Sequence, residues 1–151
     1  MTAIHIGPAT ESEREWCARL MASSQPWITL RRDLEGCRAV LHRPGAELFT
    51  ARDEKSHALG FILLAPYGFA GSAYISAIAV APEAQGQSVG SQLMAFAEKR
   101  FAERGHLFLL VSSFNQRAQH FYRGRGYSFV GELKDYIVAG HSELIFHKRL
   151  P

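Results

Sequence analysis

A strand, a helix and a second strand in the middle of the chain place the strongest constraint on its fold. Ala73–Val80 has the composition of a strand, and Pro82 ends it because proline cannot continue a central ladder. Val89–Arg104 follows as an amphipathic helix, with Gly105 at its predicted C′ position. Leu107–Val111 is an unbroken apolar run, which is typical of a strand buried on both faces. This order is that of a right-handed βαβ unit, so both strands should lie parallel in one sheet.

Two helices before this unit, and strands on both sides of it, complete a mixed pattern. The first helix is predicted to begin at a capping box formed by Thr10 and Glu13 and to end before Pro26. The other predicted elements are a helix at Leu34–Leu41, strands at Glu47–Arg52 and Leu59–Ala65, a glycine-rich turn at Pro66–Ser72, a helix at Asn115–Arg125, and strands at Tyr127–Val138 and Ser142–Leu150. The order ααβββαβαββ predicts an α/β fold, in which a mixed sheet has helices on both faces.

Length, charge and cysteine usage limit the classes of protein that remain. A chain of 151 residues is predicted to form one domain over residues 1–151. The formal net charge of +3 suits an anionic ligand, but without a basic run it does not indicate a nucleic-acid partner. No apolar run approaches the ~18 residues of a membrane helix, and the N-terminus lacks the regions of a signal peptide. Cys17 and Cys37 are too few for a disulfide framework, so we expect reduced thiols in a cytoplasmic protein.

A loop of small residues joins the strand that ends at Val80 to the helix that begins near Val89. Small residues let a ligand approach the backbone closely, and the loop N–H groups and the helix N-terminus together form an anion site. The loop lacks the G-K-S/T ending of a Walker A motif and the third glycine of a dinucleotide-binding motif. It predicts phosphate or pyrophosphate binding, with an ordinary strand-to-helix turn as the alternative.

A second segment carries polar residues on one face of a predicted helix. Asn115, Ala118 and Tyr122 are spaced i, i+3 and i+7, so they share that face. The amide can hydrogen-bond an extended ligand, the alanine leaves room for it, and the phenol can give a proton. The alternative is a tyrosine whose ring lies in the core while its hydroxyl contacts water.

Together the two segments resemble the GNAT superfamily of acetyl-CoA-dependent N-acetyltransferases. The pyrophosphate loop of that family, Q/R-x-x-G-x-G/A, corresponds to Gln85–Gly90. Its second signature, N-x-x-A-x-x-F/L-Y-x-x-x-G-F/Y, is matched at every fixed position from Asn115 to Tyr127. The resemblance implies a three-layer α/β fold whose central mixed sheet is mostly antiparallel, with one parallel and splayed strand pair.

The resemblance also implies an activity and a set of site residues. The chain would transfer an acetyl group from acetyl-CoA to a primary amine, which attacks the thioester directly. The backbone of Ile78, Ala79 and Val80 would pair with the pantetheine arm and polarise the thioester carbonyl, and Tyr122 would protonate the leaving thiolate. The other implied cofactor contacts are Gln85, Gly86, Gln87, Ser88, Val89, Gly90 and Ser91 around the pyrophosphate, and Asn115 and Ala118 beside the pantetheine.

Two positions depart from the family pattern. Ser88 stands where the loop usually has its middle glycine, and serine costs energy there if the backbone needs a positive φ. It can instead cap the following helix, or its hydroxyl can add a donor to the pyrophosphate site. Leu110 stands where protein N-terminal acetyltransferases often carry a glutamate base, so the acceptor amine must lose its proton by another route.

Several residues near the predicted acceptor side are further candidates. Asp135, Tyr136, His141 and Glu143 are candidate bases, each with a solvated surface role as the alternative. Trp27, Tyr67 and Phe69 are candidate walls of an acceptor pocket, with core packing as the alternative, and Arg123 and Arg125 are candidate contacts to the nucleotide 3′-phosphate. No metal site is expected, because His42, His57 and His120 lack ligand-like spacing.

Two other functions compete with the enzyme at this stage. The first is a GNAT-like module that binds an acyl-CoA with little or no turnover, which the changes at Ser88 and Leu110 favour and Tyr122 opposes. The second is a nucleic-acid-binding protein, favoured only by the basic pI of about 9.1 and one Arg-Gly run. The sequence does not identify the acceptor amine, and it is compatible with a homodimer.

Overall fold

The computed structural model describes residues 3–151, in which seven strands form one mixed sheet flanked by four α-helices. The strands are β1 (His5–Pro8), β2 (Glu47–Arg52), β3 (Ala58–Phe69), β4 (Ser72–Val80), β5 (His106–Ser112), β6 (Ser128–Leu133) and β7 (Glu143–Arg149). The helices are α1 (Glu11–Ala22), α2 (Leu34–Leu41), α3 (Val89–Arg100) and α4 (Gln116–Gly124), with short 3-10 turns at Pro82–Ala84 and Ala102–Arg104. The strand order is β1-β2-β3-β4-β5-β7-β6, and β4 and β5 form the parallel pair. The predicted fold class is therefore confirmed.

Three predicted boundaries are wrong. The sequence analysis missed β1, a short strand that pairs with β2 through the register His5 to Arg52. The predicted turn at Pro66–Ser72 is instead the end of β3, which continues to Phe69 with an irregular register. The strand predicted to reach Val138 ends at Leu133, since Asp135 adopts a positive φ of 51°. Each error comes from pairing or turn geometry that local composition does not encode.

Two hydrophobic clusters lie on opposite faces of the sheet. One packs α3 and α4 on the sheet through residues such as Leu93, Met94 and Phe146. The other packs α1 and α2 and contains both cysteines, which are free and fully buried. Burial raises the pKa of the Cys17 thiol to about 12, so this sulfur stays protonated and unreactive. No helix within residues 3–151 is both long and apolar enough to cross a membrane.

The parallel pair opens after only three residues on each strand. Pairing between β4 and β5 stops at Ile75 and Leu109. Beyond that point β4 continues along β3 and β5 continues along β7, so a gap separates the two central strands. An extra residue on β4, Ser76, forms a bulge at the start of this gap, and a bulge bends its strand. The bulge and the lost pairing together place a cleft in the middle of the sheet.

Candidate active site

Two cavities meet at the gap between β4 and β5. The α3-side cavity, about 650 Å³, lies against the loop before α3 and the end of β4. The α2-side cavity, about 550 Å³, lies between the α2 region, the bulge of β4 and the first residues of β7. The residues that line both cavities are Gln25, Ile78, Asn115, Ala118 and Tyr122. Two ligands, one in each cavity, would therefore meet beside Tyr122.

The loop before α3 presents a row of unused backbone donors to the α3-side cavity. None of the N–H groups from Gly86 to Ser91 donates to an acceptor within residues 3–151. Gly86 and Ser88 both have positive φ, 83° and 62°, which turns successive N–H groups toward a common side. No acidic residue lies in the first turn of α3 to compete with a bound anion. This geometry suits a phosphate or pyrophosphate.

The backbone at Ser88 is left-handed, the conformation that the family's usual glycine at this position predicts. Its φ of 62° and ψ of 17° are left-handed, and its side chain caps no backbone N–H of α3. Ser88 therefore occupies the N-cap position of α3, as one interpretation predicts, but its side chain does not cap the helix. Its hydroxyl oxygen accepts a hydrogen bond from the Gln92 amide at 3.0 Å, which leaves the hydroxyl proton available to a ligand in the cavity.

We expect Ser88→Gly to stabilise the fold by about 0.5–1 kcal/mol, because relief of left-handed strain exceeds the added unfolded-state entropy of glycine. Ser91→Gly is the matched control: Ser91 lies inside α3, where glycine lowers stability by roughly 0.5 kcal/mol. Urea unfolding of both variants measures the difference. If Ser88→Gly is destabilising, the left-handed conformation costs the wild-type chain less than the unfolded-state entropy that glycine adds.

The end of β4 forms the wall opposite the loop. Ile78, Ala79 and Val80 pair with β3 on one side and have no strand partner on the other, which faces the gap. The sequence analysis missed Gly60 on β3, where a Cβ atom would lie 2.7 Å from the Ala79 carbonyl oxygen. Gly60 is therefore required for the close approach of β3 to the wall of the cavity. A lone glycine inside a strand pattern is the signal that can identify such a position.

Tyr122 stands at the junction of the two cavities. Its side chain is 7% exposed, and the rings of Phe121 and Tyr127 hold it at centroid distances of 5.3 and 6.0 Å. Burial raises the pKa of its hydroxyl, so the phenol keeps its proton at neutral pH. Within the described residues the hydroxyl makes no hydrogen bond, although it borders both cavities. Asn115 lies nearby, and its side-chain oxygen caps α4 by accepting from the Ala118 N–H at 3.2 Å.

A buried carboxylate and three tyrosines, Tyr74, Tyr122 and Tyr136, line the α2-side cavity. Glu143, 4% exposed at the start of β7, accepts a hydrogen bond of 2.8 Å from the Ser112 hydroxyl. Burial raises the pKa of Glu143, while Ser112 and His141 act in the opposite direction. Burial also raises the pKa of Tyr74 to about 12, helped by the charges of Glu143 and Tyr136. Tyr74 in turn contributes to the raised pKa of Tyr122, and all three groups line the same cavity.

The structure places the predicted residues in three groups. Those that line the α3-side cavity are Ile78, Ala79, Val80, Gln85, Gly86, Ser88, Val89, Gly90, Ser91, Asn115, Ala118 and Tyr122. Those that line the α2-side cavity include Trp27, Phe69, Leu110, Tyr136 and Glu143. Those that line neither are Tyr67, Gln87, Arg123, Arg125, Asp135 and His141.

The residues outside both cavities have other contacts that explain their positions. Gln87 donates to the Glu83 carbonyl, and Asp135 accepts from the Gly140 N–H within a turn. Arg125 forms an ion pair of 2.8 Å with Glu98. Arg117, which sequence reasoning did not single out, is the arginine that lines the α3-side cavity. No cluster of three or more potential metal ligands occurs in the described part of the chain.

Comparison with known proteins adds independent information about the chain. The sequence model of the acetyltransferase (GNAT) family matches residues 10–127. No curated protein matches the chain significantly. The solved structure of nourseothricin acetyltransferase is 31% identical and has a TM-score of 0.64, over 72% of this chain and 67% of that chain.

Two further solved structures share the fold at lower identity. A protein from Desulfovibrio desulfuricans, assigned to the GNAT family, has a TM-score of 0.82 at 18% identity and covers 99% of this chain and 100% of its own. A protein from Bacillus anthracis, assigned as a streptothricin acetyltransferase and solved with acetyl coenzyme A, has a TM-score of 0.63 at 21% identity, over 73% of this chain and 65% of that chain.

Proposed function

Because the chain belongs to the acetyltransferase (GNAT) family, we propose that it transfers the acetyl group of acetyl-CoA to a primary amine. The observation that carries this proposal is the meeting of two cavities at Tyr122, one of them lined by unused backbone donors. The donor would occupy the α3-side cavity and the acceptor the α2-side cavity. Direct attack of the amine on the thioester then requires no covalent enzyme intermediate.

The loop before α3 would hold the pyrophosphate of acetyl-CoA. The N–H groups from Gly86 to Ser91, the hydroxyl of Ser88 and the N-terminus of α3 all supply hydrogen-bond donors to an anion. The unpaired edge of β4 at Ile78–Val80 would hydrogen-bond the pantetheine arm and stabilise the oxyanion that forms on attack. Acetyl-CoA supplies the activated acyl group, and the protein supplies its orientation.

Tyr122 would act as the general acid. Its raised pKa keeps the phenol protonated at neutral pH, and the absence of a hydrogen-bond acceptor for it within residues 3–151 leaves that proton available. A proton delivered to the sulfur neutralises the thiolate as the carbon–sulfur bond breaks. The position of Tyr122 on both cavities allows it to reach the sulfur while the amine approaches from the other side.

Glu143 would accept the proton of the acceptor ammonium, taking the role that Leu110 cannot perform. Its carboxylate lines the acceptor cavity, and its raised pKa makes it a stronger base than an exposed glutamate. Tyr74 lines the same cavity as Glu143 and Tyr122, and its hydroxyl would relay the proton or hold a water that does so. The relay leaves a neutral amine at the site of attack.

The competing proposal is a module that binds acyl-CoA without turnover. It requires the same donor cavity but gives no role to Tyr122, Tyr74 and Glu143. Release of CoA in the presence of an amine separates the two proposals, since the binding module releases none. As part of the same proposal we place the protein in the cytoplasm, because both cysteines are free, and a homodimer stays a prediction.

We expect acetyl-CoA at about 100 times its Kd to raise the Tm by about 5–10 °C, since a ligand that binds only the folded chain adds ~2.7 kcal/mol. Thermal unfolding with and without acetyl-CoA measures this shift, and a thiol assay with a panel of amines measures turnover. The absence of any shift at millimolar acetyl-CoA would overturn the proposal.

Two glycine substitutions control for general destabilisation. Gly86 and Gly140 have φ of 83° and 90°, and a Cβ atom at either meets nothing within 4 Å. Alanine therefore imposes a similar backbone strain at both positions. We expect Gly86→Ala to reduce the shift caused by acetyl-CoA and Gly140→Ala to leave it unchanged, because Gly140 lines neither cavity.

A further inference from the structure

The charges that line the α2-side cavity are unbalanced. Its charged residues, within the described chain, are Arg32, Arg43 and Glu143. Two guanidinium groups thus stand against one carboxylate, which already accepts a hydrogen bond from the Ser112 hydroxyl. The cavity therefore carries a positive excess.

Neither arginine is engaged by a protein carboxylate. Arg32 and Arg43 make no side-chain hydrogen bond or salt bridge with any residue from 3 to 151. Other arginines of the same region do: Arg38 pairs with Glu15 at 2.7 Å, and Arg52 pairs with Glu13 at 2.6 Å. Both guanidinium groups of the cavity thus keep their full set of donors for a ligand.

The two ends of the cavity differ in chemistry. Arg32 precedes α2 and Arg43 follows it, and both line the α2 wall of the cavity together with Val40; this wall is called the cationic end. The opposite end holds Tyr122 and Ile78, which border the donor cavity. The charge of Arg43 also lowers the pKa of Tyr74, so the cationic end is within electrostatic reach of the reacting end.

The remaining lining is mixed, with polar residues such as Gln25, Ser76 and Tyr136 beside an apolar part. The apolar part consists of Trp27, Leu30, Phe69, Leu109, Leu110, Leu133 and Ile137. Such a surface stabilises a hydrocarbon or aromatic body, and it offers no carboxylate besides Glu143 to a second cation. A polyamine would therefore place its extra positive charges near Arg32 and Arg43, which opposes binding.

We propose that the acceptor is an amine that also carries a carboxylate on an apolar body, that is, an apolar amino acid. Its carboxylate binds at Arg43 with help from Arg32, its amine lies near Tyr74 and Glu143, and its side chain contacts the apolar wall. This proposal rests on the assignment of the α2-side cavity as the acceptor site. It goes further by naming the acceptor class.

Matched pairs of ligands test the acceptor class directly. Each pair consists of an N-acetylated amino acid and its decarboxylated counterpart: N-acetyl-leucine with N-acetyl-isoamylamine, and N-acetyl-tryptophan with N-acetyl-tryptamine. Isothermal titration calorimetry measures their Kd in the presence and absence of CoA. We expect each carboxylate to tighten binding by about 10- to 100-fold, the range of a charge-assisted hydrogen bond. Equal binding within the pairs, or no binding of any member, overturns the proposal.

Arginine variants locate the carboxylate site. We expect Arg43→Gln to abolish the advantage of the carboxylate while leaving the Kd of the decarboxylated ligands unchanged. Arg149→Gln is the control, since Arg149 lies six residues along β7 from Glu143, about 20 Å away. If Arg43→Gln and Arg32→Gln both leave the carboxylate advantage intact, the cationic end does not bind the acceptor and the proposal is wrong.

A turnover assay distinguishes this proposal from the proposed function. If spermidine or a decarboxylated amine releases CoA faster than leucine and tryptophan do, the acyltransferase proposal stands and the acceptor class is wrong. If acetyl-CoA does not raise the Tm, the acyltransferase proposal fails. The calorimetric comparison without CoA still decides whether the cavity selects carboxylates.

Discussion

Tyr122→Phe is expected to lower kcat by about 100- to 1000-fold while leaving the Kd of acetyl-CoA nearly unchanged. The substitution removes only the hydroxyl, which makes no hydrogen bond with any described residue, so the packing of the ring against Phe121 and Tyr127 is kept. Without the phenolic proton the leaving group departs as a thiolate, a higher-energy species. The loss therefore appears in the chemical step and not in donor binding.

Two other tyrosine variants make this result specific. Tyr67 is 75% exposed and lines neither cavity, so Tyr67→Phe should match the wild type in both kcat and Tm. The Tyr127 hydroxyl donates to Glu98 at 2.9 Å, so Tyr127→Phe should lower the Tm with a much smaller effect on kcat. Single-turnover kinetics with titration calorimetry separate chemistry from binding. An unchanged single-turnover rate for Tyr122→Phe would remove it from the mechanism.

Local sequence signals predicted the parts of the fold that depend on short segments of the chain. The capping box at Thr10 and Glu13 lies where the sequence predicts it. The helix predicted to reach Arg104 ends at Arg100, and Gly105, with φ of 80°, ends the 3-10 turn that follows α3. The parallel pairing of β4 and β5 also follows, because a βαβ connection has one favoured hand. Each of these features depends on a short segment of the chain, so its composition and spacing are enough to predict it.

The missed features depend on contacts between distant segments. The short strand β1 exists because β2 offers it an edge, and Gly60 is required because Ala79 passes 2.7 Å from its absent Cβ atom. The arginines of the α2-side cavity, Arg32 and Arg43, carry no motif and come from the two ends of α2. The residues of the α2-side cavity are brought together only by the tertiary fold, so spacing along the chain cannot identify them.

The residues of the two motifs fall in one cavity more completely than the other candidates do. Gln87 is the predicted loop residue that does not line the α3-side cavity, and its side chain donates to the Glu83 carbonyl. The four candidate bases had equal standing in sequence. The structure brings Glu143 and Tyr136 into the α2-side cavity and leaves Asp135 and His141 outside it.

Glu143→Gln is expected to lower kcat by about 100-fold at neutral pH, because the amide cannot accept the ammonium proton. Burial raises the pKa of the wild-type carboxyl. The activity of the wild type should therefore rise with pH, and the midpoint of this acidic limb of the pH profile should lie above the pKa of an exposed glutamate. The variant should lose this limb. Its rate should then increase about tenfold per pH unit up to the pKa of the amine, which becomes neutral without a base.

Ser112→Ala separates the titration of Glu143 from a structural role of this pair. The Ser112 hydroxyl donates to the carboxylate at 2.8 Å and stabilises its charged form. Removal of that donor raises the pKa of Glu143 further, so the acidic limb should move to higher pH while the plateau rate at high pH stays the same. Glu132→Gln, an exposed carboxylate on the adjacent strand β6, should leave the profile unchanged.

The direction of the shift in Ser112→Ala is decisive because a structural role predicts a different result. If the pair served only to hold β5 and β7 together, loss of the hydroxyl would lower the Tm and the plateau rate without moving the limb. If Glu143 is the proton acceptor, the limb follows the pKa of its carboxyl, and Glu143→Gln and Ser112→Ala affect the same limb in different ways. A limb that persists unchanged in Glu143→Gln would assign the proton transfer to another group.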